Sequence, residues 1–247
     1  EQFSTIPNKA SIRHLYLKSL DVTGFDFSGF TNLKTLDLSH SRGLTAELLF
    51  NTIPVEVKAS IETLNLRSLD VTGFDFSGFT NLKTLDLSSV RGLIATQFNA
   101  IPEDVKASIE TLDLTNVNVT GFDFSGFTKL KALDFMGDAQ GLTAEQFNAI
   151  PEDVKASIET LNLSDVDVTG FDFSGFTNLK ALGLEDILGL IADQFNAIPN
   201  KASIETLYLE DVDVTGFDFS GFTRLEILDL TIVKGLIADQ FNAISNK

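Results

Sequence analysis

No cysteine occurs among the 247 residues. Disulfide bonds, thiolate metal sites and a cysteine nucleophile are therefore excluded. Tryptophan is also absent, methionine occurs once, and there are only two histidines, two tyrosines and five prolines. His14 and His40 are the only side chains whose ordinary titration lies near neutral pH, and neither stands in a serine-elbow or zinc-ligand spacing. No phosphate loop or dinucleotide fingerprint is present either. The sequence thus argues against an enzyme, and it assigns no catalytic, cofactor-binding or metal-binding residue. No apolar run approaches the ~18 residues that span a bilayer, so membrane insertion is not expected. No signal-peptide, lipidation or basic targeting pattern is present. A place outside the cell or at its surface is favoured over the cytoplasm, although a chain without cysteine is compatible with either.

Basic residues are scarce: 18 Lys and Arg stand against 35 Asp and Glu, for a formal charge of −17. The imbalance is uneven. Residues 1–107 hold 10 basic and 12 acidic side chains, whereas residues 108–247 hold 8 and 23. Such a surface repels polyanions, which argues against nucleic acid and anionic membrane as partners and favours a basic protein segment or cations. Solubility is a competing reason for the acid.

Repetition is abundant. The stretch VTGFDFSGFT stands at 22–31, 71–80, 119–128, 168–177 and 214–223. Long units begin at Ser11, Ser60, Ser108, Ser157 and Ser203, giving double units 11–59, 60–107, 108–156, 157–202 and 203–247 after a partial repeat at 1–10. The opening EQFSTIPNKA repeats DQFNAIPNKA at 193–202, so the sequence reads as starting inside a repeat. At the other end Ser245 replaces the usual proline, which suggests a weak cap or a truncation. Each unit is itself double, and both halves open with the spacing L-x-x-L-x-L, as in Ile61, Leu64, Leu66 and then Leu82, Leu85, Leu87.

Ten copies of that spacing in register resemble the leucine-rich-repeat family across nearly the whole chain. The resemblance implies an α/β solenoid, or horseshoe, in one domain, with a parallel β-sheet on its concave face and short helices alternating with extended turns on its convex face. It departs from the family at the ninth position, which often carries Asn or Cys and here is mostly apolar: Leu20, Leu69, Val90, Val117, Val166, Ile187, Val212 and Val233. That turn is expected to be packed rather than hydrogen-bonded by a side chain. The absence of cysteine also removes the cystine-bonded end caps common in secreted animal repeat proteins.

Within VTGFDFSGFT, Gly73 permits a sharp turn. Phe74 and Phe76, alternating about Asp75, are expected on opposite sides of an extended segment, with Phe76 and Phe79 joining an internal phenylalanine stack. The longer halves predict helix: in GLTAEQFNAIP (141–151), Thr143 is a candidate N-cap with Gln146 three residues on, and Pro151 ends the run. PEDVKA (151–156) predicts one further turn. Asp26, Asp75, Asp123, Asp172 and Asp218 are expected to accept hydrogen bonds from their own turns. DVDVTG at 165–170 and 211–216 opens like a calcium loop, but its twelfth position is Phe176 or Phe222, so calcium is not expected. Two glycosylation sequons start at Asn118 and Asn162.

The copies differ mainly at positions five, seven and eight of the L-x-x-L-x-L-x-x segment, which the resemblance places on the concave face, the family's usual binding surface. Candidate partner-binding residues are Arg13, His14, Tyr16, Lys18, His40 and Arg67 early in the chain, and Asn116, Met136, Asp165, Glu185, Asp186, Tyr208, Glu210 and Asp211 later. The charges run from basic to acidic along this face, which suggests a groove whose acidic end docks a basic protein segment. Two other readings compete. One is a structural or adhesive surface protein. The other is an engineered or recently duplicated array without a strongly selected ligand, which the near-identity of the copies favours.

Overall fold

The computed structural model describes residues 6–43, 53–137 and 140–244. The readings of residues 1–5 and of Ser245 fall outside these. Each L-x-x-L-x-L segment forms one three-residue strand. In chain order these are β1 (His14–Tyr16), β2 (Thr35–Asp37), β3 (Thr63–Asn65), β4 (Thr84–Asp86), β5 (Thr111–Asp113), β6 (Ala132–Asp134), β7 (Thr160–Asn162), β8 (Ala181–Gly183), β9 (Thr206–Tyr208) and β10 (Ile227–Asp229). They form one parallel, open sheet in sequence order, each strand in register with the next. The leucines explain why. Positions one, four and six all point inward, so Leu33, Leu36 and Leu38 are fully buried, as are Leu82, Leu85 and Leu87. A one-residue slip would turn that set outward.

The returns from strand to strand alternate between two forms. After the even strands they are helical among the described residues: α1 (Val55–Lys58), α2 (Ala95–Asn99), α3 (Glu103–Lys106), α4 (Ala144–Asn148), α5 (Glu152–Ser157), α6 (Ala192–Asn196) and α7 (Ala238–Asn242). Thr143 caps α4 as expected, its Oγ1 accepting from the Gln146 N–H at 3.3 Å. Pro102 and Pro151 directly precede α3 and α5, where a missing N–H costs nothing. After the odd strands the return is the non-helical VTGFDFSGFT segment.

Here one expectation is corrected. Phe74 and Phe76 do not face opposite sides; both are buried, with ring centroids 4.5 Å apart in an edge arrangement. The segment is a chain of turns rather than an extended run. Gly73 and Gly78 have left-handed backbones, and the Phe74 N–H donates back to the Val71 carbonyl. The inward phenylalanines meet the helix of an adjacent coil. Phe98 of α2 stacks on Phe122 at 4.1 Å, Phe147 of α4 on Phe171 at 4.2 Å, and Phe195 of α6 on Phe217 at 4.1 Å. Offset ring pairs of this kind add ~0.5–1.5 kcal/mol beyond area burial.

Polar side chains tie the coils together. Gln97, Gln194 and Gln240 each donate to two carbonyls of the preceding VTGF turn, Gln194 to Val168 at 2.8 Å and Phe171 at 3.0 Å. Asn148 and Asn196 clamp the following turn by donating to a glycine carbonyl and accepting from an aspartate N–H. The lysines of the recurring KAS triplet are drawn inside. Lys106 and Lys155 are 2% exposed, and the Lys155 ammonium donates to the Asn148 carbonyl at 3.0 Å and to Glu152 Oε1 at 3.2 Å. The ninth position is packed in the inner coils, where Leu69, Val90, Val117, Val166, Ile187 and Val212 are buried, but Leu20 near the first strand is 48% exposed and Val233 half-buried.

Candidate functional site: the open face of the sheet

The strands present rows of equivalent positions, and each row has its own chemistry. The second position alternates in sign through the middle of the sheet: Lys34, Glu62, Lys83, Glu110, Lys131, Glu159, Lys180, Glu205. Glu62 is bridged by Lys34 at 2.7 Å and Lys83 at 2.9 Å, while Glu110 pairs with Lys131 at 2.7 Å and Glu159 with Lys180 at 2.6 Å. Hydrogen bonds from the two lysines pull the Glu62 carboxyl down to about 2. Arg13 stands at the head of this row and Glu226 at its foot, each beside a like charge, so the row is basic at one end and acidic at the other. The alternation was legible as Glu after the isoleucine and Lys after the leucine in the three middle units, and the sequence reading passed over it.

The fifth position serves the turn that ends each strand. Asp37, Asn65, Asp86, Asp113, Asp134, Asn162 and Asp229 each accept from the N–H two residues on, at 2.8–3.0 Å. Asp86 and Asp134 are raised above the ordinary aspartate value, chiefly by burial, with the nearby Asp113 carboxylate adding to it. Tyr16, Gly183 and Tyr208 occupy the same position without this cap.

The eighth position is a left-handed turn in every coil. Ser19, His40, Ser68, Ser89, Asn116, Gly137, Asp165, Asp186, Asp211 and Ile232 all have φ between 51° and 86°. Asn, Asp, Ser and Gly tolerate that backbone, because a short polar side chain or none relieves the Cβ clash. The variation at His40, Asn116, Asp165, Asp186 and Asp211 therefore has a backbone cause as well as any binding role. Asp211 is further engaged by Lys234 at 3.1 Å.

The remaining candidates divide by position. His14 lies on β1 with its Nδ1 3.0 Å from Thr35 Oγ1. Tyr16, Lys18 and Arg67 are exposed, as is Met136 at 39%. Glu185, Tyr208 and Glu210 are half-buried, and Glu185 Oε2 accepts from Ser164 Oγ at 2.9 Å. Glu185 and Tyr208 line a feature that the sequence reading missed. On β8 both outward side chains are minimal, Ala181 and Gly183, between Asn162 of β7 and Tyr208 of β9. The result is a hollow of about 140 Å³ lined by Thr160, Asn162, Ala181, Gly183, Glu185 and Tyr208. A neighbouring hollow of about 150 Å³ over β5–β7 is walled by Asp113, Asp134 and Asn162, which are already committed to turns.

Other sequence signals resolve into turn chemistry. Asp26, Asp75, Asp123, Asp172 and Asp218 each accept from the N–H of the serine two residues on, at 2.8–2.9 Å, and those hydrogen bonds hold their carboxyls low. Within DVDVTG, Asp167 accepts from the Thr169 N–H and hydroxyl, and Val166 and Val168 are buried. Asn162 of the second sequon is half-buried and bonded to Ser164 and Asp134, whereas Asn118 of the first is exposed. Among the described residues, no group of three acidic or histidine side chains converges on a metal-sized site, and no helix is long and apolar enough to cross a membrane.

No family model matches the chain, and no curated protein matches it in sequence. Solved structures do match. An internalin, InlF, of Listeria monocytogenes aligns over 95% of this chain and 72% of its own, with a TM-score of 0.58 at 14% identity. A leucine-rich-repeat protein of Leptospira interrogans aligns over 83% of this chain and 50% of its own (TM-score 0.47, 16% identity). The functional domain of InlJ from Listeria monocytogenes, described as including a cysteine ladder, aligns over 91% and 59% (TM-score 0.36, 17% identity). At these identities the likeness is one of fold. With ten L-x-x-L-x-L segments stacked as ten in-register parallel strands, the chain has the fold of the leucine-rich-repeat family.

Proposed function

We propose that the chain is a non-enzymatic scaffold that binds a protein partner through the open face of its sheet, with the late, acidic coils docking a basic segment. The observation that carries this reading is the half-buried pair Glu185 and Glu210 at position seven, where the coils of β1 to β4 have Lys18, Ser39, Arg67 and Ser88. Carboxylates on strands ~4.8 Å apart repel one another, and these two serve no turn. A basic partner converts that repulsion into attraction. A cell-surface or extracellular place suits such a scaffold. The second reading, a structural or adhesive surface array, is favoured by exposed Ile232, Ile237 and Phe241 in the last described coil, and light scattering of the purified chain tests it.

The test is affinity capture with the native chain and with Glu185→Gln, Asp186→Asn, Glu210→Gln and Asp211→Asn combined. Asparagine at 186 and 211 keeps the left-handed turns. The expected result is a partner whose binding weakens with salt and is lost in the late-coil variant, but survives Arg13→Gln, Lys18→Gln and Arg67→Gln combined. Binding unchanged by the late-coil variant overturns the reading.

A further inference from the structure

Gly183 is the one glycine in the ten strands, and its backbone does not call for glycine: its φ lies outside the left-handed region. Glycine in a strand is unfavourable and often marks a close approach by another group; on one side of Gly183 that group is the Asn162 side chain, whose Oδ1 would lie 2.7 Å from a Cβ. The same coil and the next also give up the capping aspartate or asparagine that seven other coils keep, having Gly183 and Tyr208 in its place. A bare glycine and an uncapped tyrosine on adjacent strands line one hollow. Its floor is Ala181 and Gly183, one wall is Tyr208, and the Glu185 carboxylate stands at the end where the strand turns. At about 140 Å³ it is close to the ~150 Å³ of cavities that admit a benzene-sized group.

We propose that this hollow is a side-chain pocket for an arginine of the bound partner. The proposal rests on the reading that the open face binds protein, and it names the anchor. The aliphatic stem lies along Ala181 and Gly183, the flat guanidinium stacks on the Tyr208 ring, and its N–H groups meet Glu185. Arginine fits better than lysine because its planar, weakly hydrated cation can stack on a ring and present two donors to a carboxylate at once. The surrounding charge agrees: Asp186 follows on the same coil, and Asp165 and Glu210 stand on the coils to either side.

The experiment is a titration of the ¹⁵N-labelled chain with the peptide acetyl-Gly-Gly-Arg-Gly-Gly-amide and with its citrulline counterpart, which keeps the shape but loses the charge. Saturable shifts are expected at the amides of Gly183, Leu184, Glu185 and Tyr208, with citrulline roughly tenfold weaker or worse. Gly183→Asn should abolish the shifts, since asparagine already occupies the equivalent place in β3 and β7. A Cβ at 183 would meet Asn162 Oδ1 at 2.7 Å, so Tyr208→Leu, which leaves that contact untouched, serves as a second variant with the same expected loss. Shifts that are absent, scattered, equal for citrulline or unaltered in both variants overturn the pocket. The broader reading is separable, because it stands or falls on partner loss in the late-coil charge variant.

Discussion

Ile232 illustrates how much the residue scale owes to backbone geometry. It is a β-branched side chain in a left-handed turn, at φ 56°, where nine other coils carry Ser, His, Asn, Asp or Gly. Left-handed backbone costs an ordinary L-residue ~1–2 kcal/mol, so Ile232→Asn is expected to stabilise the chain by about 1 kcal/mol in urea unfolding. Asp134 is a second misfit. Burial raises its carboxyl, and Asp113 faces it from the next strand. Asp134→Asn keeps the cap on the Met136 N–H and removes the charge, with an expected gain of ~0.5–1 kcal/mol at neutral pH. Because the folded state holds that proton more tightly than the unfolded state, the gain should shrink as pH falls through the raised value and vanish below the ordinary aspartate range. The opposite holds for Asp172, whose carboxyl is lowered by the Ser174 N–H and hydroxyl. Its contribution is present above the ordinary aspartate value and is lost as pH falls through the lowered one. Asp172→Ala is expected to cost about 1 kcal/mol at neutral pH, and Asp172→Asn less. The turn aspartates were legible in the sequence because Asp followed two residues later by Ser is a local pattern. The eighth position was not, because its residues share a backbone angle rather than a chemistry.

At the scale of the element, the strands and helices were readable from spacing alone. Inward leucines at positions one, four and six admit one register, and Thr143 with Gln146 marks the start of α4. The phenylalanine pair of VTGFDFSGFT was misread because alternation implies opposite faces only in extended chain, and left-handed glycines turn this segment at both ends. The ties between elements were hidden for a related reason: Gln194, Asn148 and Lys155 act on carbonyls in neighbouring coils or helices, which no local window shows. These ties carry testable weight. Gln194→Ala leaves the Val168 and Phe171 carbonyls without their side-chain donor and is expected to cost ~1–3 kcal/mol. Phe147→Ala removes a fully buried ring stacked on Phe171 and is expected to cost ~3–5 kcal/mol. Equilibrium denaturation of both variants against the parent measures these costs.

For the whole molecule, a solenoid separates what repeats from what does not. The repeated letters supply the inward leucines, the phenylalanine stacks, the buried lysines and the turn carboxylates. Once left-handed turns and caps are set aside, differences remain on the open face at Tyr16, Lys18, Arg67 and Met136, and on two adjacent coils at once at Gly183, Glu185, Tyr208 and Glu210. The most direct measurement rewrites three of these last four with residues of other coils, as Glu185→Ser, Tyr208→Asn and Glu210→Ser, and keeps Gly183, where a Cβ would meet Asn162 Oδ1 at 2.7 Å. Partner affinity is then compared with the unfolding midpoint. The expected result is a midpoint equal to or above the parent's and at least a tenfold loss of affinity, about 1.4 kcal/mol. Unchanged affinity, or a collapse of stability, would contradict the assignment of these residues to binding rather than to the fold.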